Sequence, residues 1–258
     1  MQLSLDHLII RSPTPTETLT QLAAQAGTPI LADVECVSGV ATGIVRAGSL
    51  DIEVVGIGDE PPQRPHGYGI GFVADGGLDE AVSQLRAMGF PTSPAPSVTI
   101  GPAAQRRTWR ATQVHGLLPD PFPALTSRRR PGFRDRALER AAGALARVPP
   151  VARAATRRAG SSMVVVTEYA FDVHAWRSSV DSGPRVVAVH LGIAGHRRAW
   201  EQLPLAGDVP LHLEDDGLGV TRVLLARTPG MHERAFSIGD VAFEFVSRGR
   251  DIPHLQGL

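Results

Sequence analysis

Lysine is absent from this 258-residue chain: all 26 of its basic residues are arginine. That excludes Schiff-base chemistry and any phosphate loop built on a lysine ammonium. Cysteine is nearly absent too. Cys36 stands alone, so no disulfide can close within the chain, and a reducing, cytoplasmic location is the expectation. No apolar run approaches the ~20 residues that a membrane-crossing helix needs. Nor do the first residues lead from a basic stretch into an apolar core, so neither a membrane nor a secretory signal is expected. No sign of charge dominates, because 26 acidic residues balance the arginines. What is left, 43% hydrophobic and 20% charged, suits a globular protein with a proper core.

The charge balance fails locally. Between Leu118 and Gly160 ten arginines face only Asp120, Asp135 and Glu139, an excess of seven positive charges. Leu138, Ala141, Ala142 and Leu145 recur there at helical spacing until Pro149-Pro150 breaks it, so an arginine-rich helical insertion is expected at about 118–160. Such a segment is either a solvated excursion or a cationic lid that draws in an anionic substrate, a carboxylate or a phosphate ester. It carries no recognisable binding motif and no interleaved aromatics, so no nucleic acid is expected as a partner.

The rest of the chain repeats one order of elements. A strand at 3–10 is followed by a helix, which Thr14-Pro15-Thr16-Glu17 opens and Gly27 closes. Strands at 32–37, 42–47 and 49–55 come next. The pattern restarts with a strand at 68–74, a helix over 78–88 with Val82, Leu85 and Met88 inward, and strands near 97–101, 107–114 and 163–170. It starts a third time at Val186. The fold class is therefore α+β, in repeated β-α-β-β-β modules: two over 1–180, and a third over 184–250.

Within that order one phrase occurs twice. His7 sits mid-strand and Glu53 follows 46 residues later on a closing strand; His190 and Glu244 repeat the pattern 54 residues apart. Strand alternation puts Leu5, His7 and Ile9 on one face, and Asp51, Glu53 and Val55 on one face. A curved sheet with its helices on one side would gather such polar residues in its hollow. A mid-strand histidine is as readily a satisfied core residue, and a strand glutamate as readily faces solvent. The recurrence of the pair is what favours a site.

Leu5-Asp6-His7-Leu8-Ile9, the segment from Ser49 to Val55, Asp79-Glu80-Ala81 in the second helix, and the run Val164-Val165-Val166-Thr167-Glu168-Tyr169 together resemble the vicinal oxygen chelate superfamily and its glyoxalase-like proteins. The resemblance implies modules paired into a half-barrel around a divalent metal, with histidine from a first strand and glutamate from a last one. Pairing of modules one and two would place His7, Glu53 and Glu168 in the hollow, with Ile70 as an empty corner and the third module left for a second chain, as in a homodimer. Pairing of modules one and three would instead gather His7, Glu53, His190 and Glu244. One imidazole and two carboxylates suit Mn²⁺, Fe²⁺, Ni²⁺ or Zn²⁺. The expected function is then a metal-dependent enzyme that chelates two neighbouring oxygens of a small substrate, with Glu53 or Glu168 as general base. The alternative is a metal-free protein that binds or sequesters a small molecule. Tyr169 and Trp109 are candidates to line the hollow, although a strand aromatic is more often core. His66, His115, His174, His196, His212, His232 and His254 show no ligand spacing and read as surface residues.

Overall fold

The structure is a computed structural model, which describes residues 1–37, 39–57, 60–95, 97–100, 106–119, 162–181, 183–227 and 235–247. The arginine-rich insertion lies almost wholly outside the described residues. The first module comprises β1 (Leu3–Arg11), α1 (Pro15–Ala26), β2 (Ile30–Val37), β3 (Val40–Ala47) and β4 (Leu50–Ile57). The second comprises β5 (His66–Ala74), α2 (Leu78–Ala87), β6 (Ser97–Ile100), β7 (Arg107–Gln113) and β8 (Met163–Tyr169), followed by a short α3 (Val173–Arg177). The strands join in the order β2-β3-β4-β1-β5-β8-β7-β6. In each module the closing strand lies parallel to the opening one, and β1 meets β5 antiparallel at the seam. The result is a mixed α+β fold, mostly sheet, whose main sheet curls into a glyoxalase-like half-barrel.

Alternation along the strands decides what faces where. Leu8, Ile10, Ile52, Val54, Ile70, Phe72, Val164 and Val166 point to the helix side and form the main core with Leu19, Leu22, Leu78, Ala81 and Leu85. Burying that layer is the chief stabilising term. The other face carries a smaller cluster of Ile9, Val55, Tyr68 and Val165. Two local expectations shift. Thr14 makes no side-chain cap on α1; its amide donates instead to the Ser12 hydroxyl at 3.0 Å, and Gly27 closes the helix in the left-handed region at φ 64°. In α2 the buried stripe is Leu78, Ala81 and Leu85, and Met88 falls past the last turn, 37% exposed.

The C-terminal strands are β9 (Val186–Ile193), β10 (Leu205–Ala206), β11 (Leu211–Glu214), β12 (Leu218–Ala226), β13 (Ala235–Ile238) and β14 (Val241–Val246), with α4 (Arg197–Trp200) after β9. Apart from β10, which extends the main sheet beside β1, they form a separate sheet ordered β11-β9-β12-β14-β13. That is not the order of one module, because β14 pairs with β12 and never reaches β9. The sheet is two curtailed modules, β9-α4-β11 and β12-β13-β14. Within it β9, β11, β12 and β14 pair as β1, β4, β5 and β8 do in the half-barrel. Only three residues join β11 to β12, so the chain returns antiparallel across β9 before any further wall strands are laid down.

This sheet packs on its own chain, and its place needs no second copy. Val189, Leu191, Val223, Leu225, Phe243 and Phe245 belong to the main core. The Trp200 indole donates to the Leu117 carbonyl at 2.7 Å. Gly219, at φ 76°, lies so close to the Gly67 carbonyl that any side chain would collide with it. Among the described residues no helix is long and apolar enough to cross a membrane.

Candidate functional site

The half-barrel encloses a hollow of about 380 Å³, within the range of small-molecule sites. Its lining is largely apolar and aromatic: Ile9, Ile44, Val55, Ile57, Val98, Met163, Val165, Trp109, Tyr169, Phe171 and Trp176. Trp176 comes from α3, and Phe171 from the turn before it. They continue an edge-to-face run from Tyr169, with ring centroids 5.5 and 5.6 Å apart. The polar groups that reach the hollow include His7, Thr42, Asp51, Glu53, Thr167 and Arg107.

A β-bulge builds the centre of this group. Between β1 and β5, Leu5 pairs with Phe72 and His7 with Gly71, which leaves Asp6 as the extra residue. An extra residue breaks strict alternation, so neighbouring side chains can meet on one side. Asp6 Oδ2 lies 2.8 Å from His7 Nδ1. Across the seam the imidazole rests over the bare Cα of Gly71, where any Cβ would collide with the ring. Its Nε2 faces Glu53 Oε2 at 3.7 Å, and the Thr42 hydroxyl donates to Glu53 Oε1 at 2.6 Å.

Beneath this row the charges are neutralised. The Arg177 guanidinium donates to Asp6 and, through Nε, to Asp51, each at 2.7 Å, Arg46 donates to the other Asp51 oxygen at 2.7 Å, and the Tyr169 hydroxyl donates to Asp6 at 2.6 Å. Burial pushes the Asp6 carboxyl up, but the bond and charge of His7, with Arg177 and Tyr169, overcome it and hold the group well below the usual carboxylate range. Burial also pulls His7 down; the Asp6 bond, with the charges of Asp6, Glu53 and Asp51, outweighs that and holds it above its ordinary value of 6.5. Burial first, then Asp6, push the Tyr169 phenol above its ordinary value, so it stays a donor.

The structure brings together His7 and Glu53 and no other member of the expected metal set. Glu168 is a correction. It lies one residue out of phase, between Thr167 and Tyr169 of the hollow, and so points to the helix side. There its carboxylate accepts from the Leu78 amide at the start of α2 and from Arg110, each at 3.2 Å. Seam pairing also shows which residues of module two correspond to the pair. His7 opposes Gly71 and Ile9 opposes Gly69, so the local two-fold relation maps His7 onto Gly69. Glu53, opposite Ile9, maps onto Val165, opposite Gly71. Ile70, expected as the empty corner, faces the core.

His190 and Glu244 are also apart from this hollow, on the outer face of the C-terminal sheet. There His190 Nδ1 lies 2.8 Å from Glu214, while Glu244 stands two strands away beside Arg222 Nε at 3.5 Å. His212, expected as a surface residue, packs its ring 4.9 Å from that of His190. Its imidazole is held below the ordinary value by burial and by His190.

The donor set does not fit a resident divalent metal. Glycine and valine stand where module two would supply ligands, while Asp6 and Asp51 are tied to arginines. Among the described residues no three His, Cys, Asp or Glu side chains are placed to hold an ion. Sequence reasoning missed Asp6, Arg177, Trp176 and Arg107. The Asp6-His7 adjacency was visible, but only the bulge turns it into a contact.

Comparison with known proteins gives a likeness of architecture. No family model and no curated protein sequence matches the chain. A hypothetical protein from Staphylococcus aureus superposes over 95% of this chain and 99% of its own, with a TM-score of 0.62 at 8% identity. The likeness is one of fold. Methylmalonyl-CoA epimerase from Mycobacterium tuberculosis aligns with 66% of this chain and 91% of its own, at 12% identity and a TM-score of 0.37. A selenomethionine methylmalonyl-CoA epimerase aligns with 65% of this chain and 96% of its own, at 12% identity and 0.39. Scores of that size do not bear on the chemistry of this chain.

Proposed function

We propose that the chain binds a small, largely apolar molecule in the half-barrel hollow, and that His7 and Glu53 meet its polar end directly, without a metal. The observation that carries this reading is the row Asp6–His7–Glu53 at one side of an aromatic hollow, with Gly69 and Val165 at the positions that would complete a ligand set. Asp6 holds Nδ1 of the imidazole, which orients the ring and leaves Nε2 for the ligand. Glu53, fixed by Thr42, offers a carboxylate oxygen beside it. Such a pair can hold a hydroxyl or carbonyl, and can also pass a proton to or from it.

A second reading, a metal-dependent glyoxalase-like enzyme, has one observation in its favour: a carboxylate on Nδ1 is the usual support of a metal-ligating histidine. It would rest on two protein donors. The two readings separate on protein purified without an affinity tag, by metal analysis and by calorimetric titration with 2-naphthol, with and without excess EDTA. The expected result is no stoichiometric metal, binding unchanged by EDTA, and binding weakened about tenfold in His7→Ala, as loss of one hydrogen bond in a dry site implies. A stoichiometric metal whose removal abolishes binding would establish the second reading instead.

A further inference from the structure

The hollow has a second polar end. Arg107 opens β7 and lines the cavity from the wall opposite Glu53, with β1, β5 and β8 between β4 and β7. Four strand spacings separate those walls, roughly 19 Å along the curled sheet, and two long side chains reaching inward narrow that gap. The Arg107 guanidinium lies 4.9 Å from the centroid of the Trp176 ring. It is half-buried, and it makes no ion pair or hydrogen bond among the described residues. Among the described residues the other arginines near the hollow are already engaged, Arg46 with Asp51 and Arg177 with Asp6 and Asp51. The Ser97 hydroxyl lines the same wall. A half-buried guanidinium stacked on an indole keeps its donors free for a planar anion, and carboxylates match its fork.

We infer that the ligand of this hollow is a bipolar molecule: an apolar, flat body with a carboxylate at one end, held by Arg107, and a hydroxyl at the other, held between His7 and Glu53. The inference rests on the metal-free binding reading above and adds the class of ligand. A hydroxyl suits the second end because it accepts from Nε2 of the protonated imidazole while donating its one proton to Glu53. A carboxylate there would face Glu53, a repulsive pairing, so the two ends are not interchangeable. The aromatic side chains between them suit a ring system as spacer.

Calorimetric titration with three probes tests this: 6-hydroxy-2-naphthoate, 2-naphthol and 2-naphthoate. The first is expected to bind about tenfold tighter than either of the others, since each lacks one charge-assisted contact. Arg107→Leu should collapse the ratio between 6-hydroxy-2-naphthoate and 2-naphthol towards one, and Arg107→Lys should keep part of it. Glu53→Gln should lower the ratio between 6-hydroxy-2-naphthoate and 2-naphthoate. If 2-naphthol binds as tightly as 6-hydroxy-2-naphthoate, or Arg107→Leu leaves their ratio intact, the bipolar assignment falls while the hollow remains a small-molecule site. If none of the three binds, both fall.

Discussion

The half-barrel and the C-terminal sheet start from one plan and end differently. In the first, His7 opposes Asp51 on the parallel neighbour strand, and Glu53 follows two residues on. In the second, His190 opposes His212 on its parallel neighbour, and Glu214 follows two residues on. The register is the same. The bulges are not: each seam has one on either strand, but Asp6, the extra residue of β1, stands directly before His7, whereas Val187, the extra residue of β9, lies three residues before His190. Asp6 therefore takes Nδ1 of His7 and turns Nε2 towards Glu53, while Glu214 itself takes Nδ1 of His190. The residue across the seam differs too, Gly71 in one and Arg222 in the other.

Walls complete the difference. Beyond β4 the half-barrel adds β3 and β2, and beyond β8 it adds β7 and β6. Beyond β14 the C-terminal sheet has β13, and among the described residues nothing follows β11. One histidine–glutamate pair thus sits in an enclosed hollow and the other on a half-exposed face. A pair of residue types marks a strand position; a curled wall makes it a site.

The strongest break in this comparison is at Arg177. Arg177→Met leaves Asp6 and Asp51 as buried, under-compensated carboxylates, and should lower folding stability by about 3–5 kcal/mol in urea unfolding. Among the described residues none on the C-terminal face holds two buried acids in this way. Next comes the seam. Gly71→Ala drives a methyl group into the His7 ring and should cost about 1–3 kcal/mol by the same measurement, with weakened 2-naphthol binding. Arg222→Ala, at the matching place, should change stability by less than about 1 kcal/mol, because its pairing with Glu244 is half-exposed.

A smaller effect is expected in the pH profile. His7 is held above its ordinary value, so its share of stability is complete below pH 6.5 and is lost as pH rises through the folded value. Asp6 is held below its ordinary 3.8, so its share is present above that pH and is lost as pH falls. Urea unfolding across pH should therefore show an alkaline decline that His7→Gln removes and His190→Gln leaves in place. An unchanged decline in His7→Gln would mean that the half-barrel histidine is no more tightly coupled than its counterpart. Smallest of all, Glu214→Gln should alter stability by under about 1 kcal/mol and leave ligand binding untouched, since that pair is outside the hollow.

Much of the fold was legible in the sequence. The opening strand, the helix from Pro15 to Gly27 and the restart before Leu78 follow from apolar period and from proline and glycine punctuation, which act locally. His7 and Glu53 share a face because strands alternate. Legibility failed where pairing partners matter. Glu168 and Thr167 are both plausible in a strand read alone, and only the register with β5 tells which one enters the hollow. Glu244 matched Glu53 by its place in the chain, but its strand is laid beside β12, so the partner of His190 is Glu214. Asp6 and Arg177 are 171 residues apart, and no local pattern joins them.

What the sequence determined by itself is the set of strands and helices and the side to which most residues point, because those depend on neighbours one to four positions away. Which strands lie side by side, where the extra residue falls, and whether a wall closes over the face were decided only in the tertiary structure. Those outcomes depend on burying one hydrophobic layer against another across long stretches of chain. In the half-barrel that choice put Asp6 against His7 and Arg107 across from Glu53, and made a hollow of them.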